Sequence, residues 1–240
     1  MNYSKAIRDR VEQAKVGNIF VMHDFADLAP NNVGNRVVKR LVDEGILQTV
    51  VRGVYVKPKY NAFLGEAEKP SVEDVAQAIG RKNGWLVRPD GDMALNMLGL
   101  STQVPAAWTF VSDGPYKTYA YGAGQIRLKH SANRLMAKLS WDAALLVQAF
   151  RAMGEERVDE PLLRRLASRY SSGQLERMTG EMMMAPDWIR SKVRQMKQFV
   201  HRIALPRIRT TILRSCSPRF RYGAVFLRRL SRRTSGCAGC

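Results

Sequence analysis

Residues 30–58, PNNVGNRVVKRLVDEGILQTVVRGVYVKP, constrain the fold more than any other stretch of this chain. Pro30 and Asn31 open a helical pattern, Asn being a favoured N-cap, and Gly45 closes it as a stop. Val33, Val37, Val38, Leu41 and Val42 recur at helical spacing and mark the face to be buried. The opposite face collects Asn32, Asn35, Arg36, Lys39, Arg40 and Asp43, of which only the last is acidic. Residues 46–51 and 54–56 are β-branched and aromatic runs, and Arg52-Gly53 sits between them as a turn. A basic, amide-bearing helix followed by a small hairpin predicts a winged helix-turn-helix. Asn and Arg suit such a helix because their donors pair bidentately with adenine and guanine edges in the major groove. The competing reading is a solvated amphipathic helix beside an ordinary hairpin, since charged faces usually just face water.

The residues before this stretch favour the first reading. Residues 3–16, YSKAIRDRVEQAKV, place Ile7, Val11 and Ala14 on one side and predict a helix ended by Gly17. A short apolar run follows at 19–22. HDFADLA then predicts a second short helix, with Asp24 near its start and Phe25 and Leu28 as buried anchors. Helix, strand, helix, turn, helix and hairpin within residues 1–60 is the order expected of this module.

A loop, residues 57–70 (KPKYNAFLGEAEKP), leads to a second unit over 61–200. Ser71-Val72-Glu73-Asp74 opens a helix in the manner of a capping box, with Val72, Val75, Ala76 and Ile79 as its apolar face. Residues 85–87 form a short strand, and Pro89-Asp90-Gly91-Asp92 a turn. Asp92 stands where an N-cap is wanted for a helix beginning at Met93. Residues 106–130 read as a three-stranded meander broken at Asp113-Gly114-Pro115 and Gly122-Ala123-Gly124. Beyond Ser131 the pattern turns helical, through WDAALLVQAFRAMG, LLRRLASRY, residues 174–184 and residues 187–199. The expected fold is therefore α+β: an N-terminal winged helix-turn-helix, then a small antiparallel sheet with a helical C-terminal part. Met182, Met183 and Met184 are expected as core filler.

Composition bounds the partners. The net charge of +18 favours a polyanionic one. Residues 201–240, however, hold ten arginines and no Lys, Asp or Glu, which leaves +8 for residues 1–200. The segment has no helical or alternating period and reads as a basic, disordered tail. It is either an arm that binds nucleic acid nonspecifically or an extension with no evolved role. All three cysteines lie in it; Cys237 and Cys240 form a C-x-x-C without the further ligands a zinc site requires. The cysteine-free body fits a reducing compartment. No apolar run reaches the length of a membrane span, and the N-terminus shows no signal peptide, so a cytoplasmic, bacterial protein is expected.

Catalysis is not indicated. Asp90 and Asp92 are the best candidate pair, since paired carboxylates hold divalent metals in phosphoryl transfer, but the Gly between them suits a turn. Neither a phosphate-binding Gly loop nor a base–nucleophile pattern among His23, His130 and His201 can be read. No cofactor or metal is expected.

GNIFVMHDF through VKRLVDEGILQTVVRGVYVKP resembles the winged-helix domain of AbiEi-type antitoxins, and ALNMLGLSTQVP (residues 94–105) is similar to a signature of a related bacterial family. The resemblance covers about residues 1–200. It implies a DNA-binding autorepressor and antitoxin of a type IV toxin–antitoxin system, acting against a nucleotidyltransferase-like toxin without a stable complex. It further implies that the N-terminal domain binds repeats in its own promoter, with room for a homodimer on the DNA, while the second domain carries antitoxin activity. On these grounds Asn32, Asn35, Arg36, Lys39, Arg40 and Arg52 fall at recognition-helix and wing positions and are the expected DNA contacts. Asn96 and the run Ser101-Thr102-Gln103 fall in the signature, where caps and turn bonds account for them equally well. The alternatives are an RNA- or ribonucleoprotein-binding protein that protects the toxin's target, and a metal-dependent nucleotidyltransferase built on Asp90 and Asp92.

Overall fold

The computed structural model describes residues 2–60, 65–103, 105–131 and 138–204. The Asn2 side chain accepts from the Lys5 amide and starts α1 (Tyr3–Gln13), which buries Ile7 and Val11. After β1 (Ile19–Val21), HDFADLA forms the expected second short helix only in part. It gives a short 3-10 helix, Met22–Phe25, continued by turns. The Asp24 carboxylate accepts from the Val21 amide at 2.9 Å, which caps the start of this turn, while Phe25 is buried in the core.

Helix α2 (Asn31–Asp43) forms as expected, but Pro30 rather than Asn31 takes the cap position, and no side chain caps the helix. The Pro30 carbonyl receives the Val33 and Gly34 amides at 3.0 and 2.9 Å. At the other end Gly45 adopts a left-handed φ of 75°, and the Ile46 amide returns to the Leu41 carbonyl at 2.9 Å. β2 (Gln48–Val51) and β3 (Val54–Val56) form the expected hairpin and complete an antiparallel sheet of order β1-β3-β2.

Both faces of this sheet are covered. Period-two alternation sends Phe20 to a core with Ile7, Phe25, Val38 and Leu41, under α1 and α2. It sends Val21, Val51 and Val54 the other way, into a cluster with Val75, Ala76 and Ile79 of α3 (Val72–Asn83). That cluster continues through Val87, Phe110, Ile126 and Leu128 of the second sheet. The boundary expected at residue 60 thus falls between β3 and α3, whose side chains share one core.

Ser71 caps α3 through a bond from the Asp74 amide at 3.0 Å. β4 (Val87–Pro89) begins two residues later than expected. The cap of α4 (Gly91–Met97) is Asp90, not Asp92, because Asp90 is still extended and its carboxylate accepts from the Gly91 amide at 2.8 Å. β5 (Trp108–Ser112), β6 (Lys117–Tyr121) and β7 (Gly124–His130) are the three strands expected over 106–130, but they are not a meander. The order is β4-β5-β7-β6 with β5 parallel to β7, so the sheet is mixed rather than wholly antiparallel. The longest strand, β7, takes the inner position with Ile126 and Leu128 buried; β6, with Lys117, Thr118 and Ala120 exposed, takes the edge.

Four helices close the described chain: α5 (Trp141–Met153), α6 (Glu160–Ala167), α7 (Ser172–Glu181) and α8 (Asp187–Ala204). They pack with α4 around Leu146, Phe150, Leu163, Val193 and Met196. Of the three consecutive methionines only Met182 enters this core; Met183 and Met184 are 74% and 56% exposed. The chain is α+β, and among the described residues no helix is long and apolar enough to cross a membrane. Most of the tail expected at 201–240, with its cysteines, lies outside the described residues.

Candidate nucleic-acid interface

The amphipathic pattern of α2 decides what it presents. Val37, Val38 and Leu41 face inward, and Asn32, Asn35, Arg36, Lys39 and Arg40 are all exposed. Gly34 is buried against the 3-10 helix, where a Cβ would lie 3.0 Å from the Met22 sulfur. A side chain there would meet the Met22 thioether, so α2 approaches the 3-10 helix closely at this point.

Among the described residues no hydrogen bond or ion pair engages the side chains of the three cations on this face, Arg36, Lys39 and Arg40, although the exposed Asp43 follows Lys39 by four residues and Arg40 by three. Glu44 pairs with Arg8, and Asp27 receives both Arg10 guanidinium nitrogens at 2.6 Å, which holds its carboxyl below the usual range. Asp24 lies 3.7 Å from Arg81. Like charges three and four residues apart cost an isolated helix a few tenths of a kcal/mol (about 0.2–0.5), so the row is not built for helix stability. Arg40, in the last turn, recovers some of this from the helix dipole; Arg36 does not. Arg36 and Arg40 also border a groove against Asn2, Tyr3 and Ser4 at the start of α1.

Asn32 differs from the rest, since its side-chain oxygen accepts from the Val33 amide at 2.8 Å. Its amide nitrogen remains a donor. Arg52 lies apart from α2, in the hairpin turn, exposed and with its carbonyl engaged by Lys82. The structure therefore gathers Asn32, Asn35, Arg36, Lys39 and Arg40 on one helix face and puts Arg52 on a second element.

Other residues singled out by pattern have local duties. Asp90 caps α4 and pairs with Lys129 at 3.0 Å, while Asp92 is exposed in the first turn. Asn96 donates to the Gln103 carbonyl at 2.7 Å, and Ser101 Oγ accepts from the Gln103 amide at 3.3 Å, so both bind the turn after α4. His130 Nδ1 lies 2.9 Å from the Gly114 carbonyl. Among the described residues no group of three or more His, Cys, Asp or Glu is placed to hold a metal ion. Lys82 was not legible as a partner of the hairpin because tertiary packing alone brings it to the Arg52 carbonyl.

The model of a family of unknown function (DUF6088) matches residues 6–172, a span that includes both sheets. Among curated proteins none matches. One solved structure, the RV2827C protein from Mycobacterium tuberculosis, aligns with 15% identity over 83% of this chain and 78% of that one, at a TM-score of 0.34. A score that low carries no argument.

Proposed function

We propose that this chain, which belongs to the family of unknown function DUF6088, is a DNA-binding autorepressor and antitoxin of the type IV kind, working in the bacterial cytoplasm. The carrying observation is the α2 face: two amides, and three cations without an ion pair among the described residues, on a helix that buries Val37, Val38 and Leu41 behind them. The strand order β1-β3-β2, with the hairpin following α2 directly, supports reading residues 1–60 as a winged helix-turn-helix with Arg52 at the wing. Arg36, Lys39 and Arg40 break no ion pair among the described residues when they turn to base edges and phosphates, and a bidentate Arg–guanine or Asn–adenine pair discriminates by about 1–3 kcal/mol.

The division of labour follows the resemblance to AbiEi-type antitoxins. Residues 1–60 engage promoter repeats as duplex DNA, with room for a homodimer, and residues 61–200 counter a nucleotidyltransferase-like toxin without a stable complex. No catalytic role is assigned to Asp90, which caps α4 and pairs with Lys129, or to Asp92, which is exposed in the first turn of that helix. Two measurements on the full chain test the proposal: a gel shift on the DNA upstream of its own gene, and growth rescue on co-expression with a neighbouring toxin. Equal binding to unrelated duplex, or a preference for RNA of the same charge, would remove the repressor reading.

A further inference from the structure

The last turn of α3 reaches across to the first sheet. Arg81 donates to the Ile19 carbonyl of β1 at 3.1 Å, and Lys82 Nζ donates to the Arg52 carbonyl in the hairpin turn at 2.5 Å. The Lys82 stem lies over Gly53, where an added Cβ would come within 2.8 Å of Cε. Gly53 also holds a φ of 76°, so the turn needs glycine for its conformation.

Neither capping nor charge pairing explains the contact. The terminal carbonyls of α3 are met without Lys82: Gly84 and Trp85 amides bond to Arg81 and Gly80 at 3.4 and 2.9 Å, and the Asn83 side chain to Ile79 at 2.7 Å. The charges acting on Lys82 are cationic. Burial, then Lys117 and Arg52, push its pKa down. An ammonium held in such company is disfavoured, and what it accomplishes there is to pin the tip of the hairpin. Beneath it Val51 and Val54 pack in one cluster with Val75 and Ile79, so the clamp is the outer end of a longer contact.

We propose that Lys82 is a positioning residue for Arg52: α3, from outside the winged module, clamps the hairpin turn and sets the direction in which Arg52 reaches DNA. This rests on reading the α2 face and the hairpin as the DNA interface.

The test uses the full chain and Lys82→Met, which keeps the stem but removes the donor. In the free protein, amide exchange at residues 52–54 should accelerate several-fold, while Lys82→Arg, which keeps a donor, preserves protection. On promoter duplex, Arg52→Ala should weaken wild-type binding about tenfold, but only about twofold in the Lys82→Met background, because the two changes remove one interaction. Independent, multiplying effects, with each change lowering the salt slope by about 0.9, would make Lys82 a phosphate contact of its own and overturn the proposal. So would unchanged exchange at the turn, or a lower urea midpoint that leaves the effect of Arg52→Ala intact. A costless Arg52→Ala beside a damaging Arg36→Ala would overturn this inference alone; if both are costless, the DNA reading falls with it.

Discussion

Replacing Ile79 by Ala should destabilise both ends of the described chain at once. Ile79 is 0% exposed and sits in the cluster that joins Val21, Val51 and Val54 of the first sheet to Val87, Phe110 and Ile126 of the second. Three carbons leave a sealed site, worth about 2.4 kcal/mol of transfer, and the cavity left behind raises the cost to about 3–4 kcal/mol. At a urea m-value of about 2 kcal/mol/M this lowers the midpoint by roughly 1.5–2 M. Two probes separate the halves. The four tryptophans, Trp85, Trp108, Trp141 and Trp188, all lie beyond residue 60, so fluorescence reports the second sheet and the helices. Amide exchange at Val38 and Leu41 reports α2. Both transitions should move together by the same free energy. If fluorescence shifts while α2 keeps its wild-type protection, residues 1–60 stand on their own core, as their sequence alone suggested, and the shared cluster does not couple them.

Arg36→Ala and Arg40→Ala should each leave the urea midpoint within about 0.5 kcal/mol of wild type, because both are exposed and unpaired, yet cost about 1–3 kcal/mol of operator affinity if they read a base. Gly114→Ala should destabilise by about 1–3 kcal/mol or more and perturb tryptophan emission, since the new methyl would lie 2.3 Å from the Trp85 ring. A chain ending at Ala204 should keep the wild-type midpoint and operator preference while its nonspecific affinity and salt slope fall; the C-terminal core is built from residues through Phe199, with Val200 packed against it. Unfolding of that truncated chain would show that the segment beyond Ala204 contributes to the core.

What was legible in the sequence was whatever depends on neighbours in the chain. Helix α2, its Gly45 stop and the Arg52-Gly53 turn follow from periodicity and glycine, and Ser71 announced α3. Side-chain capping was harder to read: Asp24 turns back to the Val21 amide at the start of a short 3-10 helix, and Asp90 takes the cap that Asp92 was expected to supply. Strand order was not legible at all. The exposed positions of β6 and the length of β7 bear on it, but the parallel pairing of β5 with β7 joins strands that are not consecutive in the chain. The candidate interface splits the same way. The α2 row is a local pattern, whereas the clamp of Lys82 on Arg52 joins residues 30 apart and needed coordinates.

The central claim is that the α2 face reads DNA sequence, and fluorescence anisotropy with two duplexes tests it most directly. One carries the DNA upstream of the chain's own gene and the other a scrambled sequence of equal length, each titrated at two salt concentrations with wild type and Arg36→Ala. The account predicts tighter binding of wild type to the native duplex, a preference reduced by about 1–3 kcal/mol in the variant, and little change on the scrambled one. Equal affinity of wild type for both duplexes, or an equal loss on both in the variant, would contradict it.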